Sequence, residues 1–176
     1  MDLISIERIK KAHPSIRAKL LKGYTDANNK LGKNVRLRIT RVYSTNAEQD
    51  ELFAIGRTKR GRIVTKAKGG ESIHNYGGAW DIVLLIDLDG NGTFETASWD
   101  VLKDWDKDTQ SDWMEVVAVF KALGAEWGGD WRRFPDGPHF QIKKPNGQSY
   151  TWRELKRLVD TGETIVDGGI IYPKLP

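Results

Sequence analysis

A short apolar run near the middle of the chain restricts the possible folds more than any other feature. Trp80 and residues 82–86 are apolar and surround a single carboxylate, Asp81. The run is too short for a membrane span, which needs about 18 or more apolar residues. Its length is typical of a strand that is buried in the centre of a sheet. The sequence therefore predicts a central strand around which the rest of the chain packs.

Helical and strand patterns alternate along the 176 residues without repeats or low-complexity segments. Alternating apolar residues predict a second strand over residues 35–40, and a Gly-Pro turn leads into a short strand over 139–142. Helices are expected after His13-Pro14, over 47–55, over 112–123, and after Thr151, which begins a capping box. This order predicts an α+β fold, with a small central antiparallel sheet flanked by helices. One domain is expected over residues 1–176, with 163–176 as a tail that wraps the surface.

The composition excludes several function classes. A hydrophobic content of 39% and a charged content of 30% are typical of a globular protein. A net charge of +4 suits approach to an anionic polymer, but no nucleic-acid-binding motif is present, so no nucleic-acid partner is expected. The start of the chain lacks a basic region followed by an apolar core, so no signal peptide is expected. No run approaches the roughly 18 apolar residues of a membrane span, so no stable membrane insertion is expected. A monomer is expected.

Two of the three histidines lie in the densest clusters of small and polar residues. His74 and Asp81 lie in the first cluster, and His139 lies in the second. The chain has no cysteine, which leaves histidines and carboxylates as ligands for any transition metal. Two histidines and one carboxylate, with a fourth position for water, form the ligand set of a catalytic zinc. A zinc site on the sheet is therefore predicted, and Asp136 adds a carboxylate that could accept a proton.

The full strings are more specific than the individual spacings. Ser-x-His-x-x-Gly-x-Ala-x-Asp ends at Asp81, and Trp-Gly-Gly-Asp-Trp followed by Asp-Gly-Pro-His ends at His139. Together they resemble the zinc peptidases that cleave peptidoglycan stem peptides, over about residues 13–160. These are D-alanyl-D-alanine carboxypeptidases and, more closely, L-alanyl-D-glutamate endopeptidases that serve as phage endolysins. The resemblance implies His74, Asp81 and His139 as zinc ligands and Asp136 as the catalytic base.

The resemblance implies a zinc-dependent endopeptidase that cleaves the L-alanyl-D-glutamate bond of the stem peptide. Two alternatives remain open at this stage: a D-alanyl-D-alanine carboxypeptidase and a non-catalytic wall-binding module. An endolysin accumulates in the host cytoplasm and acts on the cell wall with the help of a separate membrane-permeabilising partner, so the same route is expected here.

Supporting residues are less well defined by the sequence. Ser72 is expected either to bond the His74 imidazole or to act only as a turn hydroxyl. The endolysin family commonly has an arginine, which polarises the attacked carbonyl, where this chain has Ser44. Arg57 or Arg41 could replace it, although each could also be a solvated surface charge, which is the favoured interpretation for Arg41. No single tryptophan is assigned to substrate binding.

A calcium site is the remaining prediction. Residues 87–95 resemble the first part of an EF-hand loop, with oxygen ligands at alternating positions and Gly92 at the sixth. The oxygen ligands would be Asp87, Asp89, Asn91, Thr93 and Glu95. The twelfth position is Ser98 instead of a glutamate. Some related phage endopeptidases are regulated by calcium, so the resemblance allows a calcium ion here. The alternative is an ordinary hairpin turn without a metal.

Overall fold

The computed structural model describes residues 2–176 and contains five α-helices and seven β-strands within them. The helices are α1 Leu3–Ile9, α2 Pro14–Lys30, α3 Asn46–Ala54, α4 Asp112–Ala122 and α5 Trp152–Asp160. The strands are β1 Val35–Arg41, β2 Ala79–Ile86, β3 Thr96–Ser98, β4 Glu126–Trp127, β5 His139–Gln141, β6 Thr164–Asp167 and β7 Ile170–Pro173. The α+β fold predicted from the sequence is confirmed.

The main sheet is antiparallel and is built around β2, the strand predicted from the apolar run. Strand β1 pairs along one edge of β2, while β3 and β5 pair with opposite ends of its other edge. Strand β4 extends the sheet beyond β5. Successive side chains of residues 82–86 point to opposite faces of the sheet and all are buried, which explains why this strand is almost entirely apolar.

The hydrophobic core lies between this sheet and the helices. Large side chains from separate elements are fully buried there, including Trp113 and Phe120 of α4 and Phe140 of β5. The Trp80 and Phe140 rings stack with centroids 5.9 Å apart, and Phe120 packs against both. This aromatic cluster holds β2 and β5 together, because Trp80 and Phe140 are partners in their ladder, next to the pair Asp81 and His139.

Helix boundaries follow the capping signals in the sequence. His13 caps α2, and Thr45 and Thr151 begin α3 and α5 with complete capping boxes. Helix α4 begins after Ser111 and is followed by Gly124, which has a positive φ of 85°. No helix within residues 2–176 is long and apolar enough to span a bilayer.

Two parts of the structure differ from the sequence-based expectation. Helix α1 was not predicted, because only a few of its side chains are buried and its apolar pattern is weak. The expected surface tail instead forms a second sheet of β6 and β7, joined at Gly168-Gly169, which both have positive φ. Tyr172 of β7 is fully buried and donates a hydrogen bond to the Lys11 carbonyl, so the segment is anchored in the fold.

Candidate active site

The side chains of His74, Asp81 and His139 converge at the polar ends of β2 and β5. One oxygen of Asp81 lies 3.1 Å from Nε2 of His74 and 3.1 Å from Nδ1 of His139. The centroids of the two imidazole rings are 5.1 Å apart. One possible ligand atom from each of the three residues lies within 4.8 Å of the other two. The structure therefore brings together the residues that the sequence predicts as a metal site.

Each of these side chains is held by regular structure. Asp81 and His139 are direct partners in the ladder between β2 and β5. His74 lies in a short 3₁₀ turn, Ile73–Tyr76, that ends at Gly77 with a φ of 67°. A methyl group on Gly77 would lie 2.8 Å from the His13 backbone nitrogen, so only glycine permits this approach. Strands and a capped turn hold ligands in a fixed geometry.

The hydrogen bonds of His74 determine which ring nitrogen faces Asp81 without a proton. Nδ1 lies 2.9 Å from the backbone carbonyl oxygen of Val42, which can only accept, so Nδ1 carries the proton. A neutral ring then presents the lone pair of Nε2 to Asp81. Ser72 does not contact the ring; its hydroxyl accepts from the His74 backbone N–H and caps the turn. The turn-hydroxyl interpretation of Ser72 is therefore the correct one, and Val42 supplies the acceptor.

His139 is oriented in the same manner from the opposite side. Its Nε2 lies 3.1 Å from Oε1 of Gln141, whose amide nitrogen donates to Glu126 at 2.9 Å. That second bond fixes the amide orientation, so Oε1 accepts the proton from Nε2. Nδ1 of a neutral ring therefore also presents a lone pair to Asp81.

The charges of this group are closely coupled. Burial would raise the pKa of Asp81, but the neighbouring His74 and His139 outweigh it and hold that pKa well below its usual range. Burial would likewise lower the pKa of His139, but the hydrogen bond and charge of Asp81 raise it. An ion that replaced the protons between Asp81 and the two rings would meet two imidazole nitrogens and one carboxylate, which are ligands that zinc prefers.

Asp136 lies beside this group without joining it. Its side chain is exposed, and its backbone is held by bonds between Asp136 N–H and Gly128 O and between His139 N–H and Asp136 O. Displacement of water by the surrounding protein raises the pKa of Asp136, and Asp81 adds to this effect, whereas His139 and His74 oppose it. A carboxyl with a raised pKa next to a metal site is suited to proton transfer.

The Trp-Gly-Gly-Asp-Trp segment forms the wall beside His139. A methyl group on Gly128 would lie 2.5 Å from the Asp136 carbonyl oxygen, so glycine allows the two segments to touch. Trp127 donates from Nε1 to the Gly137 carbonyl at 2.6 Å. The ring of Trp131 lies 5.2 Å from the His139 ring, so this tryptophan borders the site. The sequence did not single out Trp131 among the seven tryptophans.

The two candidate arginines lie in different environments. Arg41, at the end of β1, donates from Nε to Ser44 at 2.7 Å and from Nη2 to Gln49 at 2.5 Å. It is opposite Asp81 in the sheet, and the charge of Asp81 counteracts the effect of burial, which lowers the pKa of Arg41. Arg41 is therefore not a solvated surface charge, contrary to the favoured expectation. Arg57 is exposed and donates to the backbone carbonyls of Phe53 and Thr65.

The Asp87–Glu95 segment connects β2 and β3 as a hairpin. Asp87 is buried, and both of its carboxylate oxygens accept backbone N–H bonds, including those of Gly90 and Gly92 at 2.8 Å. The Asn91 side chain donates a hydrogen bond to Asp89 at 2.9 Å, and the Thr93 hydroxyl donates one to Glu95 at 3.1 Å. Within residues 2–176, the acidic side chains of this hairpin do not form a group of three that could share an ion.

Comparisons with known proteins agree with the two sequence motifs. Residues 65–142 match the model of a family described as D-alanyl-D-alanine carboxypeptidase. Over 110 residues, 62% of this chain, the sequence is 48% identical to the peptidoglycan L-alanyl-D-glutamate endopeptidase CwlK of Bacillus subtilis (strain 168). A 39-residue segment, 22% of the chain, is 47% identical to the L-alanyl-D-glutamate peptidase of Listeria phage A118. These matches span 62% and 14% of the two relatives' lengths.

The fold resembles a solved structure as well. The crystal structure of the Serratia marcescens L-Ala D-Glu endopeptidase ChiX superposes with a TM-score of 0.52, covering 80% of this chain and 86% of that chain. The sequence identity is 19%, so this likeness concerns the fold alone. The family resemblance predicted from the clusters around His74 and His139 is confirmed.

Proposed function

Because residues 65–142 match the D-alanyl-D-alanine carboxypeptidase family, we propose that this chain is a zinc-dependent peptidoglycan endopeptidase. The bond that it cleaves is L-alanyl-D-glutamate in the stem peptide, the bond named for the relatives from Bacillus subtilis and Listeria phage A118. One observation carries the catalytic part of the proposal. One nitrogen of each of His74 and His139 and one oxygen of Asp81 lie within 4.8 Å of one another, and the charge of each of these residues acts on the nearby, exposed Asp136.

His74, Asp81 and His139 would hold the ion. Zinc in such a site supplies a Lewis acid and lowers the pKa of water to about 7. Val42 and Gln141 fix the two rings through their outer nitrogens, at 2.9 and 3.1 Å. Partners of this kind keep the ligating nitrogens aimed at the ion and raise their basicity.

Asp136 is the proton carrier in this proposal. Its carboxylate takes a proton from the attacking water as the water oxygen bonds to the alanyl carbonyl carbon. The same proton is delivered to the glutamate nitrogen as the C–N bond breaks. The products are an alanine carboxylate and a free D-glutamate amine. The raised pKa of Asp136 makes it a better proton acceptor than an ordinary aspartate.

In this proposal Arg41, and not Arg57 as predicted from the sequence, stabilises the carbonyl oxygen. Its Nε and Nη2 are used by Ser44 and Gln49, which leaves Nη1 without a hydrogen bond to any residue within 2–176. The position at which the endolysin family commonly has arginine is Ser44, which here accepts the Arg41 bond. That bond supports the proposal that the Arg41 guanidinium takes over the stabilisation of negative charge.

Replacing Arg41 by methionine is expected to lower kcat by about 10²–10³, the usual effect of removing one donor to a developing oxyanion. The zinc content is expected to be unchanged, because Arg41 is not among the converging ligand atoms. Arg57→Met is the matched control and should retain near wild-type turnover, since its guanidinium bonds exposed backbone. The reverse result in steady-state assays would assign the role to Arg57.

The carboxypeptidase alternative and a binding-only module are tested by the same digestion. Purified peptidoglycan is incubated with the enzyme, and newly exposed ends are identified by mass spectrometry. A free D-glutamate amine supports the endopeptidase, released D-alanine supports the carboxypeptidase, and no new ends support binding alone. The exposed Asp136 favours catalysis, because a purely structural zinc site needs no base.

Three further expectations belong to this proposal. The protein acts as a monomer, because all three ligands come from one chain. It reaches the cell wall from the host cytoplasm with a membrane-permeabilising partner. A calcium ion at Asp87–Glu95 also stays a prediction; its test is loss of calcium binding in an Asp87→Ala/Asp89→Ala double variant.

A further inference from the structure

A second group of carboxylates, outside the proposed zinc site, lies in the loop after β3 and in the first turn of α4. Asp104, Asp106 and Asp108 have oxygens within 4.8 Å of one another, and so do Asp106, Asp112 and Glu115. Asp106 belongs to both sets, so the five side chains form one group. Counted from Asp104, aspartates occupy positions 1, 3, 5 and 9 and glutamate occupies position 12. This is the ligand order of a twelve-residue EF-hand calcium loop.

Two carboxylate oxygens in this group are buried without a partner. Asp112 is 0% exposed and Glu115 is 5% exposed. Oδ1 of Asp112 and Oε2 of Glu115 have no hydrogen-bond partner within residues 2–176, although their second oxygens accept from Trp105 N–H and from Lys30. A buried, unpaired carboxylate oxygen is costly unless a cation or donor reaches it.

Electrostatics at these side chains point the same way. Burial raises the pKa of Asp112 to about 6, and the charges of Asp106 and Asp104 add to the effect against the Trp105 N–H bond. Burial also raises the pKa of Glu115, with Asp108 adding and Lys30 opposing. Of the five carboxylates, Glu115 alone forms an ion pair within residues 2–176, with Lys30 at 3.5 Å.

The backbone of the segment already has the shape of a metal loop. Asp104 accepts bonds from the backbone N–H groups of Lys107, Asp108 and Thr109 at 2.6, 3.2 and 3.0 Å. Thr109 stands at position 6, where an EF-hand loop has glycine, and it adopts a φ of 83°. A threonine is held in this conformation only when the surrounding structure requires it.

We propose that this loop binds one calcium ion through Asp104, Asp106, Asp108, the Gln110 backbone carbonyl, Asp112 and Glu115. An all-oxygen set of this size suits calcium, whereas zinc prefers nitrogen and sulfur ligands and magnesium usually keeps several waters. The proposal is independent of the peptidase function.

The loop differs from the Asp87–Glu95 hairpin in the two features that matter. It has a glutamate at position 12 where the hairpin has Ser98. It also has two buried carboxylate oxygens without a partner, on Asp112 and Glu115, and within residues 2–176 no hairpin carboxylate has such an oxygen. Asp104 and Asp87, at position 1 of each segment, both accept backbone N–H bonds on both oxygens, so this feature does not separate them. The bound ion would also tie α4 to the end of α2, because Asp106 accepts from Gly32 N–H at 2.7 Å. Calcium should therefore stabilise the fold.

Calcium is expected to raise the free energy of unfolding, because the ion binds the folded loop and offsets the repulsion among its carboxylates. Urea unfolding of the full chain with a calcium chelator and with saturating calcium measures this difference, which Glu115→Gln should reduce.

The direct test is calorimetric titration of calcium chloride into the zinc-loaded full chain after dialysis into calcium-free buffer. Binding at this loop is expected with a Kd between about 10⁻⁷ and 10⁻³ M. Asp112→Asn and Glu115→Gln should each weaken binding by about tenfold or more, because ligand charge sets the affinity. Asp108→Asn lies on the exposed rim of the loop and supplies a variant that does not disturb the core. Asp87→Asn, in the Asp87–Glu95 hairpin, is the matched control and should leave the binding heat of this loop unchanged.

Three results would overturn the proposal. One is no binding heat up to about 10 mM calcium, beyond the weakest protein modules. Another is wild-type calcium affinity in the Asp108→Asn variant and also in Asp112→Asn or Glu115→Gln, each measured as a single variant. The last is loss of binding in Asp87→Asn alone, which would place the calcium in the hairpin instead.

Discussion

His74→Ala and His139→Ala proteins are expected to contain almost no zinc and to show no measurable peptidoglycan hydrolysis. Each substitution removes one of three converging ligands, and two protein ligands do not hold zinc in a catalytic site. No other histidine, aspartate or glutamate of residues 2–176 joins this group, so no neighbouring side chain takes the place of a lost ring. Elemental analysis of the purified variants, alongside the digestion assay, measures the two losses together.

The third histidine provides the control. His13 is equally buried, but its ring nitrogens bond Ser15 and the Pro173 carbonyl, away from Asp81. His13→Asn, which keeps a capping side chain at the start of α2, should retain full zinc content even where its stability is lowered. Zinc loss in the His13 variant, or full zinc retention in either ligand variant, would contradict the assignment.

Asp136→Asn is expected to lower kcat by about 10²–10⁴, the usual contribution of a general base. Zinc content should stay at that of the wild type, since Asp136 is not among the converging ligand atoms. Asparagine keeps the shape of the side chain and removes only its ability to take a proton. Steady-state kinetics on a soluble stem peptide, with metal analysis of the same sample, checks both statements.

A neighbouring aspartate is the matched control for this prediction. Asp130 is exposed and bonds Lys121 at 2.6 Å. Asp130→Asn should therefore leave kcat close to the wild-type value. If Asp136→Asn turns over normally, or loses zinc together with activity, Asp136 is not the base and its role must be reassigned.

The central strand and the metal ligands could be predicted from the sequence because each leaves a local signal. The apolar run around Asp81 has the length of a buried strand, and it forms β2. His74 and His139 lie in short strings whose spacing is specific, and the strand ladder brings His139 opposite Asp81. That these two strings lie together in the fold could be predicted because both resemble motifs of one peptidase family.

The supporting contacts could not be predicted in the same way. The Val42 carbonyl that orients His74 carries no sequence signal, because every residue has a carbonyl. The sequence favoured a solvated surface charge for Arg41, and only the fold shows its bonds to Ser44 and Gln49. The β6–β7 hairpin did leave a signal, the Gly168-Gly169 pair between β-branched residues, which indicates a tight turn.

The acidic loop before α4 also left a signal that the sequence interpretation missed. Residues 104–115 have the glutamate at position 12 that the Asp87–Glu95 hairpin lacks, but α4 was taken to begin at Asp112, which separated the loop from its last two ligands. In an EF-hand these ligands lie on the helix that leaves the loop. Only the fold shows that Asp112 and Glu115 are buried and that both lie close to Asp106 of the loop.

Zinc titration of metal-free enzyme tests the central claim most directly. Chelator-treated protein, at constant calcium, receives increasing zinc while the release of free D-glutamate amines from a defined stem peptide is measured. The account predicts no release without zinc, then a linear rise that ends at one zinc per chain, the capacity of the single His74, Asp81 and His139 group. Full activity in the metal-free protein, an end point well away from one equivalent, or release of D-alanine instead of new glutamate amines would contradict it.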